Sequence, residues 1–416
     1  MTRVYSTLKL FLLSTSLLAG TILAFGQQPK KKNVKKRANI GINITNKHKQ
    51  PETTYANFGL LSNYANMEGV GLNLVSSVVH HNSYGVQVAG VINMTGENAV
   101  GLQLSSVSNV FGKKASGVII TGLLNVSGTS TNGFTAAGLG NISGTNTNGL
   151  AVGGLINICG RNASGMQISG LANITQYQRG MAISGLSNVT AQNMQGMQLS
   201  ALLNIAGRSN KGVQIAGVGN VTVTNRGLQL GLLNFEDRGN GVQAGAVNVA
   251  LKGEGVQLGI VNFCDSIHHP LQIGIVNLNP ETRIQMVLSG GNLNKANAGI
   301  RFKNQRTYTE IGAGGWFSGL NKFSVSGYYR AGAFIPLSSR WEISGDAAFY
   351  HIETLKNKDY GCEKRMYAVQ PRLNLSYQIS DKVGIYAAGG YSWTKYYNHS
   401  GVQNHKPTFE IGLTLF

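Results

Sequence analysis

The chain predicts an all-β protein in two parts: a β-solenoid of 14–16 residue repeats, followed by an antiparallel meander or a small barrel of about eight strands. Three observations carry this reading. An asparagine recurs every 14 to 16 residues through the middle of the chain. The composition is rich in glycine, with 56 residues, and poor in proline, with 7, yet keeps regular aliphatics, which removes both collagen and disordered linkers. From residue 299 onward, 118 residues hold 21 of the 33 aromatics and all three tryptophans, so a different unit begins near there.

In chain order, residues 1–26 read as a secretory signal peptide. Arg3 and Lys9 supply the positive end, residues 10–24 the apolar stretch, and Ala24-Phe25-Gly26 a small-x-small cleavage site. Thr21 follows Leu17-Leu18-Ala19-Gly20 where a lipoprotein signal needs cysteine, so a lipid anchor is not expected. Residues 27–58 carry Lys30, Lys31, Lys32, Lys35, Lys36, Arg37, Lys47 and Lys49 before the first acid, Glu52, and read as a basic, solvated leader. Such a tail attracts anionic lipid or nucleic acid only electrostatically, and no nucleic-acid function is expected. Cys159, Cys264 and Cys362 are too few and too scattered for a disulfide framework or a metal knuckle.

The repeats, residues 59–280, are anchored by Asn93, Asn109, Asn125, Asn141, Asn157, Asn173, Asn188, Asn204, Asn220, Asn234, Asn248, Asn262 and Asn277. A second column is glycine throughout, at Gly85, Gly101, Gly117, Gly133, Gly149, Gly165, Gly180, Gly196 and Gly212. Four columns are apolar, starting at Val86, Val88, Val91 and Met94, and are expected to face a common core. Their offsets of two, three and three residues fit neither a helix nor one unbroken strand, so each repeat is read as two short strands joined at a corner. The corner column is small, as at Gly90, Ser106, Gly122 and Ala201, suiting a bend or a close backbone approach.

Four buried aliphatics contribute roughly 6–12 kcal/mol per repeat, whereas ordering sixteen backbones costs roughly 16–32 kcal/mol. A single repeat therefore does not fold, and stacking on its neighbours is required. Stacked copies would turn the Asn column, and the Gln column running from Gln87 to Gln272, into amide ladders. The later repeats also read as nine-residue strands, so one large antiparallel barrel acting as a channel is the alternative architecture. The recurring form G-h-Q-h-x-G-h-x-N-h over residues 85–277 resembles the exported surface-repeat proteins of spirochaetes and Bacteroidota. That resemblance implies an envelope protein with no assigned chemistry.

Residues 281–416 are expected to form the antiparallel unit. Val383, Ile385, Ala387, Gly389, Tyr391 and Trp393 alternate with period two, as do Phe409, Ile411, Leu413 and Leu415. Strands of about ten residues with aromatic ends, joined by turns that are short on one side and long on the other, mark outer-membrane barrels. The terminal Phe416, after alternating apolar residues, resembles their closing signal. Seven strands from residue 297, with an eighth at 283–290, would make a side-chain-filled barrel that anchors and does not conduct. An even strand count places both barrel ends, and with them the repeats, on the periplasmic side.

No catalytic, cofactor or metal site is expected. No Asp or Glu lies between Glu97 and Glu236, where a polysaccharide-degrading β-helix would need paired acids. His80-His81 and His268-His269 flank the array, and neighbouring strand residues point to opposite faces, so neither pair shares a metal. The Asn-x-Ser/Thr sequons at Asn93, Asn125, Asn141, Asn173, Asn188 and Asn220 follow from the repeat itself and are not read as sugar acceptors. The expectation is a non-enzymatic envelope protein of structural or adhesive type, held by outer-membrane lipid. An amide-rich face would meet a glycan or an envelope protein.

Overall fold

The computed structural model describes residues 38–43, 53–265, 271–304, 306–317, 323–355, 365–397 and 403–416; the signal-like segment, most of the basic leader, His268, His269 and Cys362 lie outside them. The protein is all-β: a parallel β-solenoid of about 14 turns is followed by a closed eight-stranded antiparallel barrel. Two compact units divide the chain, one ending at Phe235 and the other running from Glu236 to Phe416.

In the first unit each turn holds two short strands, as in Ser130–Ala137 and Gly140–Ser143, and both pair in parallel with the turns before and after. The anchor residues fall on one another: Asn93 faces Asn109, Asn109 faces Asn125, and the register continues unbroken through Asn141 and Asn157 to Asn173. Parallel neighbours exclude the single antiparallel barrel. The array also begins earlier than residue 59, because Ala38–Asn43 pairs in parallel with Thr53–Tyr64, and that strand with Asn66–Val79. The expected leader of residues 27–58 thus contains strand.

The faces of the turns are reversed from expectation. Asn93, Asn109, Asn204 and Asn220 are fully buried, and so are Gln87, Gln103, Gln198, Gln214 and Gln229. The apolar columns face outward: Val91, Leu123, Leu155 and Leu202 are each about two-fifths exposed, and Val118, Ile120 and Met94 nearly as much. Within each strand the faces alternate, since Val86 and Val88 point out while Gln87 and Ala89 point in, and the interruption falls at the corner, where Val91 is exposed between buried Ala89 and Asn93. Polar groups can occupy the interior because every rung offers the next a partner. Asn93 Nδ2 donates to Asn109 Oδ1 at 2.9 Å and to the Leu104 carbonyl at 2.7 Å, and Asn109 repeats both bonds to Asn125 and Ile120. The chain of amides runs on to Asn234, and a second run links Asn248, Asn262 and Asn277.

The glutamine column forms ladders only where glutamines are consecutive, as in Gln214 to Gln198 at 2.9 Å and Gln229 to Gln214 at 3.0 Å. Gln167 stands between Ala151 and Ala182, and neither of its amide atoms has a partner among the described residues; the same holds for Gln103 although it faces Gln87, so a neighbouring glutamine is necessary for a ladder and not sufficient. Donation runs toward the following turn in the asparagine ladder and toward the preceding turn in the glutamine ladder. Ile119 interrupts the glutamine column and Phe111 a neighbouring hydroxyl column, facing Thr95 and Ser127, and both fill the interior as a small apolar cluster with Ala99 and Ala115.

Left-handed backbone occurs in the glycine column and not at the corner. Gly149 has φ of +109°, and a Cβ there would lie 2.2 Å from the Gly133 carbonyl oxygen. The corner glycines are needed for close approach instead: a Cβ on Gly154 would stand 1.8 Å from the Gly138 carbonyl. Cys159 replaces a hydroxyl residue, facing Ser143 and Thr175, and its Sγ donates to the Asn162 carbonyl at 3.1 Å. Burial pushes its thiol above the usual range, so it is a core filler.

Asn157→Ala is expected to lower stability by about 2–4 kcal/mol, since it strips partners from Asn141, Asn173 and the Ile168 carbonyl. Gln167→Leu, which removes an unpaired buried amide, should lie within about 1 kcal/mol of the parent or above it. Urea midpoints of the two variants check this, and equal losses would contradict the ladder account.

Candidate functional site

The barrel is made of Arg283–Gly291, Asn294–Lys303, Thr307–Phe317, Ser324–Pro336, Trp341–Thr354, Arg365–Ser380, Val383–Tyr396 and Gln403–Leu415, with the first strand closing on the last through Met286 opposite Leu415. The expected eight strands are therefore present. Three, four and two residues join the strands at one end, against two, six, ten and six at the other.

Alternation sorts these strands by polarity. Ile300, Ile311, Leu373, Ile385, Ile411 and Leu413 face outward and are 39–68% exposed. Aromatic residues gather on the outside toward each rim. Trp341 and Tyr377 lie 4.8 Å apart by ring centroids at the short-turn end, and Tyr367 with Tyr397, and Tyr391 with Trp393, near the long-connection end. An apolar band between two aromatic rims is what a lipid-facing wall requires.

Besides a Lys303–Glu342 ion pair of 2.6 Å nearer the short-turn end, the inner face carries a central belt with one charged residue on most strands, alternating in sign: Arg301, Glu310, Arg330, Asp346, Arg372 and, on the last strand, Glu410. The belt residues are all buried, at 0–7% exposure. Arg301 lies directly across from Glu310, Glu310 from Arg330, and Asp346 from Arg372. Arg330 is the hub. It donates to Glu310 at 2.9 Å, to Glu410 at 2.8 Å and to the Tyr350 hydroxyl. Arg372 grips Asp346 with two bonds of 2.8 Å and reaches Glu410 at 3.1 Å. The Tyr308 hydroxyl donates to Asp346 at 2.6 Å, and that of Tyr386 to Glu410 at 2.7 Å. Three cations meet three anions, so the belt is neutral and its groups are engaged with one another. A recess of about 170 Å³ opens near Arg283, Lys303 and Trp341, and Arg301 forms part of its lining.

In this same unit the solenoid ends on the barrel's outer wall. Asn277, last of its ladder, donates to Thr309 Oγ1 at 2.9 Å, and the Tyr329 hydroxyl donates to the Gly274 carbonyl at 2.9 Å. Thr309 is the third residue of its strand, so the contact lies near the short-turn rim.

The asparagine and glycine columns thus form the inside and the bends of the coil, and the asparagines of the sequons are 0–6% exposed; the amides that do reach the surface are others, such as Asn132 with Asn148 and Asn146 with Asn162 on the polar edge. Phe416 is half-exposed beside the short-turn end, its N–H donating to the Lys382 carbonyl at 3.2 Å. His81 stands 3.6 Å from Glu97 and His80 bonds Asn63. The charged belt was not anticipated from the sequence; its signal is the alternation of sign from strand to strand, each charge flanked by outward apolar residues such as Ile300 beside Arg301 and Ile411 beside Glu410. No protein-family model matches the chain, and no curated protein does.

Arg330→Leu leaves Glu310 and Glu410 buried without their shared cation, and is expected to destabilise the barrel by about 3–5 kcal/mol. Arg330→Lys should recover only part of this, because a point charge does not span both carboxylates and Tyr350. Tryptophan-monitored guanidinium unfolding in detergent micelles measures both; unaltered midpoints would remove the belt from the stability of the fold.

Proposed function

We propose that this chain is a non-enzymatic outer-membrane protein of the exported surface-repeat kind, in which the barrel is the anchor and the solenoid a structural or adhesive element. The observation that carries the reading is the barrel's polarity, with a buried ionic belt inside and, outside, an aliphatic band with aromatic rims, the outward pair of Arg365 and Glu353 keeping to the long-connection rim. Burying the outer band in water would be unfavourable to no purpose, whereas in hydrocarbon it is the solvated face. A barrel filled by a neutral ionic belt supports anchoring over conduction. Acid and base groups locked into mutual ion pairs support the absence of hydrolytic chemistry, which needs groups free to exchange protons with a substrate.

In this reading the short-turn end faces the periplasm, as does the chain that enters the barrel there at Arg283. Outer-membrane lipid is the first partner. With the amides enclosed, a glycan or envelope protein would meet the polar edge of the coil, where Lys113, Lys114 and Arg161 are exposed.

The protein is expected to sediment with outer membranes, resist extraction by carbonate and salt, and migrate differently on gels before and after boiling. Release by carbonate with no heat-dependent migration would reject the anchor. Protease added to intact and to permeabilised cells tests the placement of the repeats, which should be cut only after permeabilisation.

A further inference from the structure

Within the first unit, charge and apolarity are sorted onto opposite edges of the coil. One edge is a ridge of corner residues, Val91, Val107, Leu123, Leu139, Leu155, Leu171, Leu186, Leu202 and Val218, each 39–46% exposed. The ridge alone presents roughly 600 Å² of aliphatic surface, at the upper limit of the largest patch on an ordinary soluble monomer. Both flanks extend it through the partly exposed columns of Val86, Val88 and Met94.

Every full charge between Gly69 and Phe235 lies on the other edge: Lys113, Lys114, Arg161, Arg179, Arg208, Lys211 and Arg226, with Glu97 the single acid. Among the described residues, six of the seven cations have no acidic side chain within ion-pair distance, and Lys113 reaches Glu97 at 3.3 Å. Residues 86–89 rise about 13 Å between the edges, close to the ~15 Å hydrocarbon depth of one leaflet. A body with an aliphatic keel, aliphatic sides and a basic rim at that height matches the interior and the phosphate level of an anionic monolayer.

We propose that the solenoid lies on its side in a phospholipid leaflet, with the ridge among the acyl chains and the basic edge at the anionic headgroups. This rests on the outer-membrane reading for the membrane concerned, but not for the geometry. It also accounts for the inverted turns. The enclosed amides need one another wherever the coil sits, while the aliphatic columns become favourably placed once water leaves them.

The test uses the full chain with Cys159→Ser, Cys264→Ala and Cys362→Ser. Serine already stands in the first column at Ser143, and alanine in the second at Ala250. Single cysteines at Leu155→Cys on the ridge or Arg161→Cys on the basic edge carry a nitroxide, in vesicles of phosphatidylcholine with a minority of phosphatidylglycerol. Relaxation by oxygen, which concentrates in acyl chains, is compared with relaxation by a water-soluble nickel chelate. The expected oxygen-to-nickel ratio is about ten-fold higher at Leu155 than at Arg161. A Leu155 label relaxed by nickel as strongly as the Arg161 label overturns the proposal. So does a Leu155 label shielded from both agents and dipolar-coupled to another Leu155 label, since the ridge would then be covered by a second copy. Heat-dependent gel migration of the same samples reports barrel insertion separately: retained with a water-exposed ridge, it sinks this inference alone; lost, it sinks the anchor.

Discussion

The structure depends on amide groups that can be buried only because an identical amide lies one rung away. A carboxamide taken from water without partners costs about 1–3 kcal/mol, and each turn buries one asparagine and, in many turns, a glutamine. In-register stacking converts that cost into a continuous chain of bonds, with a backbone carbonyl of the next turn accepting the second hydrogen. A turn lacking a neighbour has unsatisfied groups in its centre, so the stack forms as an array. The two ladders donate in opposite directions along the coil, and their dipoles oppose each other instead of accumulating toward one end.

The barrel applies the same arrangement with full charges. Its inner belt is also a set of polar groups made tolerable by near neighbours, here alternating in sign around the wall. In both parts polar groups fill much of the interior and many aliphatic side chains face outward, alongside buried apolar clusters such as Phe111 with Ile119 in the coil and Tyr350 with Ile352 and Met366 in the barrel. Much of the cohesion thus comes from a hydrogen-bonded interior of fixed geometry, and the outer faces are free to match a nonaqueous surrounding. The junction follows the same logic, since the final asparagine of the coil, with no further turn to bond, finds the hydroxyl of Thr309.

Much of this was legible from the residues. The spacing of Asn93, Asn109 and their successors gives the turn length and the register, and the period-two run from Val383 to Trp393 gives the barrel wall. The direction in which the repeat columns point was not legible. Apolar columns at Val88 and Val91 read as inward on the premise of an aqueous surrounding, whereas Gln87 and Asn93 take the interior; the break in alternation at Val91 is real and is the corner between the two strands of the turn. The ionic belt was also missed, because Glu310, Arg330 and Glu410 are up to a hundred residues apart and meet only when the sheet closes. The start of the coil within the basic leader escaped notice because Thr53–Tyr64 lacks the glycine and asparagine spacing that marks later turns, although it pairs with its neighbours in the same parallel sense.

The ladder fixes where each turn stacks but not how many residues the turn contains. Asn157 to Asn173 spans 16 residues, Asn173 to Asn188 spans 15 and Asn220 to Asn234 spans 14, yet all three steps keep a 2.9 Å bond. The slack is absorbed between strands: at the charged edge, where register slips between Cys159 and Asn162 and again between Ala206 and Ser209, and once at the corner, where four steps from Leu230 to Asn234 stand over five from Ile215 to Asn220. Insertions and deletions there are silent to the interior, and whole turns present interchangeable upper and lower surfaces. Unequal recombination within such a gene can therefore lengthen or shorten the coil one turn at a time, leaving each product a complete protein with the same terminus to seat on its barrel.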